Sequence, residues 1–247
     1  NISEQEKDIN NIVPTLASCK VLNEKTTLAL NKGHIPIILG GDHSLSIGSV
    51  SAVSSFYEKQ QKKVGLIWID SHADINIPST SPSNNLFGMS VASLLDLFTG
   101  YATTMQTKRP AVDINNLVYI GLRDLDKGEV EFIKDLKINA FTIKDIDILG
   151  MAEVTKRAIQ IATDNTCGYV LSFDLDVCDP SIVPGTQTPV RGGITFREAH
   201  LLMELIADNQ KMLSLEMVEL NPLLDRDFIT AELAVSLIES GLGKKIL

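Results

Sequence analysis

Three apolar runs of strand length in this chain end in clusters of carboxylates and imidazoles, which constrains both its fold and its chemistry. VGLIWIDSHADIN carries Asp70, His72 and Asp74 past a β-branched run, IPIILGGDHS ends at Asp42 and His43, and GYVLSFDLDVCDP places Asp174 and Asp176 two residues apart. Alternate residues of an extended segment share a face, so the spacing of Asp70, His72 and Asp74 predicts three side chains converging on one point. An Asp after a strand is also an ordinary cap of a turn or helix, which accounts for any one of these residues. It does not account for the set, because neighbouring buried carboxylates resist joint ionisation unless a cation neutralises them. His43, Asp70, His72, Asp74, Asp174 and Asp176 therefore predict a dinuclear site, and so oxygen-rich a set suits two Mn2+ ions better than Zn2+.

Further β-branched runs alternate with helical patterns, the signature of an α/β fold: three layers, αβα, with a mostly parallel central sheet. The pattern predicts strands at 35–40, 64–70, 117–121, 138–143, 169–174 and 213–218. Helices fit 18–32, 46–61, 88–98, 128–136, 151–164, 195–208 and 227–240, with Ser46 and Thr195 as caps, and 99–116 reads as a surface connection. A length of 247 residues with 44% hydrophobic composition fits a single domain over 1–247. Ligands of such sheets bind beyond the carboxyl ends of the strands, where all the acidic clusters lie. Gly40 and Gly41 turn the chain sharply there, and Pro180, Pro184 and Gly185 stiffen the loop after Asp176, with no Gly-rich phosphate-binding motif.

A net charge of -9 without clustered Lys and Arg argues against a nucleic-acid surface and fits a small cationic substrate better. Cys19, Cys167 and Cys178 are too few and scattered for a disulfide framework and read as free thiols of a reducing compartment, Cys178 as a small buried filler. No apolar stretch approaches the roughly 20 residues of a membrane span. The location read from this is cytoplasmic, with a mitochondrial one the alternative; a sequence beginning at Asn1 rather than Met does not bear on targeting segments.

Gly40-Gly41-Asp42-His43-Ser44, Asp70-Ser71-His72-Ala73-Asp74 and Ser172-Phe173-Asp174-Leu175-Asp176 with Asp179-Pro180 resemble, in order and spacing, the motifs of the ureohydrolase family. Asp74-Ile75-Asn76 through Ser83-Asn84-Asn85, and Tyr119 through Asp126 with Glu129, resemble its arginase subgroup rather than agmatinase. The similarity runs from about residue 30 to about residue 240. It implies one Mn2+ on His43, Asp70, Asp74 and Asp174, a second on Asp70, His72, Asp174 and Asp176, and Asp42 outside the set. It further implies that a hydroxide bridging the two ions attacks the guanidinium carbon of L-arginine, while Asp74 carries the proton to the departing amine, giving L-ornithine and urea. Glu219 corresponds to the carboxylate that holds the guanidinium. Asn76, Ser83 and Asn85 correspond to the loop receiving the α-carboxylate, Asp126 and Glu129 to the side reading the α-amino group, and Thr188 to a polar contact near the metals. Members of this subgroup form trimers, which makes a homo-oligomer the expected assembly.

Two departures stand out. Phe87 occupies the place of the family's proton-shuttle histidine; it cannot carry a proton, so slower turnover with metal and substrate binding kept is expected. His34 and His200 offer no replacement at the site, His34 preceding a strand and His200 lying within a helix. The family's opening strands have no counterpart before residue 30, which predicts strand 35–40 as an exposed apolar sheet edge. The alternatives to arginine hydrolysis are action on another guanidino compound such as agmatine, or a metal-binding, weakly active protein that regulates an active relative.

Overall fold

The computed structural model describes residues 9–98 and 110–245. Six strands form one sheet: β1 (Ile37–Leu39), β2 (Gly65–Ile69), β3 (Leu117–Leu122), β4 (Asn139–Thr142), β5 (Tyr169–Asp174) and β6 (Met212–Val218). Their order is β1-β6-β5-β2-β3-β4, and every neighbouring pair is parallel. After β2 the chain winds outward through β3 to β4, and after β5 it winds the other way to β6. The sheet therefore changes winding direction between β2 and β5, and the crevice beyond their carboxyl ends is where open parallel sheets take ligands.

Eight helices complete the three layers: α1 (Ile12–Asn31), α2 (Ser46–Glu58), α3 (Ser90–Leu94), α4 (Lys127–Asp135), α5 (Ile143–Leu149), α6 (Met151–Thr163), α7 (Phe196–Asn209) and α8 (Ile229–Gly241), among the described residues. Leu66, Trp68, Tyr119 and Val170 pack on the face covered by α1 to α4, while Ile67, Ile69, Val118, Leu171, Phe173 and Leu215 pack on the face covered by α5 to α8. Strands buried on both faces are why β2, β3 and β5 read as continuous apolar runs.

All six strands lie where the sequence predicts them, with ends that differ by one or two residues: β1, β2 and β4 are shorter, β3 and β6 each one residue longer. The first helix begins at Ile12 rather than 18, because Pro14 sits in its first turn, where a missing N–H costs nothing. Residues 88–98 divide into a 3-10 turn over Leu86–Met89 and the short α3. The helix expected over 46–61 ends at Glu58, and Ser46 is its first residue rather than a cap; Asp42 caps the 3-10 turn leading into it, accepting from Ser44 N–H at 3.0 Å. Thr195 caps α7 as expected, in a reciprocal box with Glu198. Helix α5 lies where the sequence pattern predicts no helix, its start fixed by the Thr142–Asp145 capping box. Of the connection at 99–116, residues 99–109 lie outside the described residues; the remainder ends in a 3-10 turn, Ile114–Asn116, capped by Asp113.

Gly121 holds a φ of +102° at an irregularity in the β3–β4 pairing, with the Val177 side chain where a Cβ would stand. β1 is the sheet edge that the sequence predicts, with Ile37 40% and Leu39 71% exposed. No helix of the described residues is long and apolar enough to cross a membrane.

Candidate metal centre

Four chain segments meet at the β2–β5 crevice. Asp70 follows the last residue of β2, its N–H bonded to Ile120 O at 3.0 Å, and both its carboxylate oxygens are aimed: Oδ2 accepts from Trp68 Nε1 (3.0 Å) and Oδ1 from His72 N–H (2.7 Å). Asp174 ends β5, and Asp176 stands in the 3-10 turn that follows, its N–H donating to Asp174 Oδ1 at 2.7 Å. Asp176 Oδ1 accepts from Ser71 Oγ (2.7 Å) and Oδ2 from Thr188 Oγ1 (3.1 Å). His43 enters from the turn after β1 and lies flat on the Trp68 ring.

The strand alternation expected to bring Asp70, His72 and Asp74 together is not how they meet. β2 ends at Ile69, and Asp74 sits in the left-handed region at a φ of 50°. A turn, rather than a pleat, brings them to one place. Glu219 is also left-handed, at 64°, where β6 ends, and its Oε1 accepts from His43 N–H at 2.8 Å. Such conformations cost of order 1–3 kcal/mol each and persist where the surroundings hold them.

Two groups of ligand atoms result, His43 with Asp70 and Asp174, and Asp70 with His72 and Asp176, so Asp70 is common to both. His43 Nδ1 stands 2.9 Å from Asp70 Oδ2, 3.2 Å from Asp174 Oδ2 and 3.3 Å from Asp74 Oδ2. His72 Nδ1 lies 3.1 Å from Asp176 Oδ2 and 3.4 Å from Asp70 Oδ1. Burial and the charge of Asp70 push the Asp74 carboxyl well above the usual range, and burial with the charges of Asp176 and Asp70 does the same to Asp174. Burial pulls His43 down, but its hydrogen bond to Asp70 and the nearby carboxylates outweigh this and raise it to about 9. The same contest at His72, with Asp176 and Asp70, ends at about 12. So many carboxylates gathered at one buried place favour positive charge there, which is what raises both imidazoles. The donor set fits a pair of divalent cations: both groups are imidazole plus carboxylate, with ligand atoms that converge, and His43 Nδ1 is buried among three carboxylate oxygens.

Around this centre the cleft is walled by Asn76, Ser81, Ser83, Phe87, Asp126, Glu129, Thr188 and Glu219. Asn76 is buried and bridges Asp126 Oδ2 (Nδ2, 2.9 Å) and Thr80 Oγ1 (2.9 Å). Glu129 closes the capping box of α4, its carboxylate accepting from Asp126 N–H (2.9 Å) and Ile75 N–H (3.3 Å); burial lifts it to about 7. Burial likewise lifts Glu219 to about 7, against the lowering influence of His43. Asn85 Oδ1 is taken up by Asn10 Nδ2 at 3.1 Å. Sequence reasoning did not single out Ser81 or Trp68; the aromatic inside an otherwise aliphatic strand was the one available signal for Trp68.

The arginase family matches this chain over residues 4–243. An arginase of Staphylococcus aureus (strain MRSA252) is 43% identical over 227 residues, which cover 92% of this chain and 73% of the relative. An arginase of Brevibacillus brevis is 42% identical over 245 residues, 99% of this chain and 80% of the relative. The crystal structure of arginase from Bacillus cereus superposes with a TM-score of 0.93 at 38% identity, covering all of this chain and 82% of the other. The sheet winding, the two acidic clusters at its crevice and these likenesses agree, and the chain belongs to the arginase family, as a hydrolase of that type.

Proposed function

We propose that this protein hydrolyses L-arginine to L-ornithine and urea with two Mn2+ ions, held by His43, Asp70, Asp74, Asp174 and by Asp70, His72, Asp174, Asp176. The observation that carries the reading is the convergence of two imidazole-carboxylate groups on Asp70, the carboxylate that both share, with His43 Nδ1 buried against it. When bound, such a cation pair supplies Lewis acidity and brings water toward ionisation at neutral pH.

The chain's own groups do the rest. Glu219 faces the cleft with one oxygen on His43 N–H, leaving the other for a guanidinium N–H. This sets the planar carbon of the substrate against the centre. Asp74, beside His43 at the centre, takes the proton given up by the attacking water and delivers it to the departing amine as the C–N bond breaks and urea forms. Ser83, Asn85 and Asn76 receive the α-carboxylate, and Asp126 and Glu129 read the α-ammonium from the opposite wall. Thr188 steadies Asp176. Phe87 offers no proton path where it lines the cleft, so proton return to solvent is slow. The assembly in this reading is a homotrimer.

The discriminating experiment compares urea release from L-arginine and from agmatine. Loss of the α-carboxylate and its loop contacts makes agmatine the poorer substrate; the reverse order overturns the arginine assignment. Phe87 favours one second reading, a binding protein of low activity. It requires two bound ions and bound arginine with negligible urea.

A further inference from the structure

One buried carboxylate has no part in the chemistry above. Glu216 lies in the middle of β6 with 0% exposure, in a cross-strand row with Ser172 on β5 and Trp68 on β2. Its Oε2 accepts from Ser172 Oγ at 2.7 Å and Ser46 Oγ at 2.5 Å, and its Oε1 from Ser49 Oγ. Two of these hydroxyls come from α2 and the third from β5. An apolar side chain at such a place is usually as stable as a buried ionised one or more so, which directs attention to what the carboxylate does for its neighbours.

Ser172 is the link. A hydroxyl has one proton, and that of Ser172 is directed at Glu216. What Ser172 presents to His43 Nε2, 2.8 Å away, is therefore a lone pair. In the neutral imidazole, the form that can ligate a cation, the one proton must therefore sit on Nε2, which leaves Nδ1 with its lone pair on the side of Asp70, Asp74 and Asp174. Ligating imidazoles commonly have their tautomer set through the other ring nitrogen in this way.

We propose that Glu216 is a positioning residue of the metal centre, acting through Ser172 to keep the His43 proton on Nε2 and Nδ1 free as a ligand. Ser46 and Ser49 hold the carboxylate in place from α2. The proposal rests on the reading of the site as a cation centre.

The test is a Mn2+ titration of the metal-free parent, Glu216→Gln, Ser172→Ala and the double variant, following free ion by its paramagnetic resonance signal. Melting of each metal-free protein checks the fold. The parent is expected to bind two ions. Each single variant weakens one of the two by roughly tenfold or more and leaves the other at the parent value. The double variant is no weaker than Ser172→Ala alone, because the influence passes through Ser172. Where Glu216→Gln does not fold, Glu216→Asp replaces it: the shortened carboxylate withdraws from Ser172, and the same selective loss is expected. Two ions held as in the parent, both weakened alike, or effects that multiply in the double variant would overturn the proposal while leaving the metal centre standing. A parent that takes up no Mn2+ overturns the centre and the proposal together.

Discussion

The imidazole of His43 lies flat on the indole of Trp68, ring centroids 3.8 Å apart and planes 9° from parallel, and the same indole donates Nε1–H to Asp70 at 3.0 Å. One buried side chain thus orients two of the metal-facing groups. Trp68→Phe keeps an aromatic ring under His43 and removes only the donor, so Mn2+ affinity should fall roughly tenfold with the fold retained. Trp68→Ala leaves a cavity and should cost about 3–5 kcal/mol of stability. Denaturant melts and metal titrations of the two variants separate these effects; a Trp68→Phe protein with parental affinity would show that the indole N–H does not hold Asp70 for a cation.

Removing the cations should loosen the whole crevice. A ligand at about 100 times its Kd adds about 2.7 kcal/mol of stability, so chelation should lower the Tm by on the order of 5–10 °C for a chain of this size. Calorimetry with and without a chelator reads this directly. An unchanged Tm would mean that the clustered carboxylates are stable without cations.

The six strands were legible because strands buried on both faces leave continuous β-branched runs, and the clustered imidazoles and carboxylates because they fall at the ends of those runs. Strand order was not, since a crossover from β4 to β5 beside β2 leaves no local trace. Helix α5 had a readable start in the Thr142–Asp145 capping box, but its seven residues are too few for a clear period. The convergence of Asp70 and Asp74 was expected for a reason that does not hold, as the strand stops at Ile69. Glu216 was invisible because a lone Glu in SLEMV looks like an outward position; its partners lie 44 to 170 residues away in the chain.

Glu129, outside the two groups of candidate ligands, supplies a further pH prediction. Burial raises its pKa from 4.5 to about 7, so the folded chain keeps a proton that the unfolded chain releases. Its stabilising contribution is full below pH 4.5 and is lost as pH rises through about 7. In the metal-free protein Glu129→Gln should flatten the fall of Tm across this interval. Part of the slope should remain, because Glu219 is raised to about 7 with the same sign. An identical slope in parent and variant would show that Glu129 is not protonated there.

Asp74 and Glu219 should separate kinetically. Asp74→Asn keeps the side-chain shape and removes the proton carrier, so kcat should drop by roughly 10²- to 10⁴-fold. Glu219→Gln removes the charge facing the guanidinium and should raise KM for arginine by roughly 10- to 100-fold. Steady-state kinetics on metal-replete proteins decide the matter, and a Glu219→Gln enzyme with parental KM would place the guanidinium elsewhere.

Arginine hydrolysis at a dinuclear centre, with proton return limited by Phe87, can be read from urea release from L-arginine by the Mn2+-loaded protein, beside Phe87→His, with metal content determined on both. Two ions in each, slow but measurable urea from the parent and a clearly faster Phe87→His enzyme are expected. No urea from either protein, with both metal-replete, would rule this chemistry out.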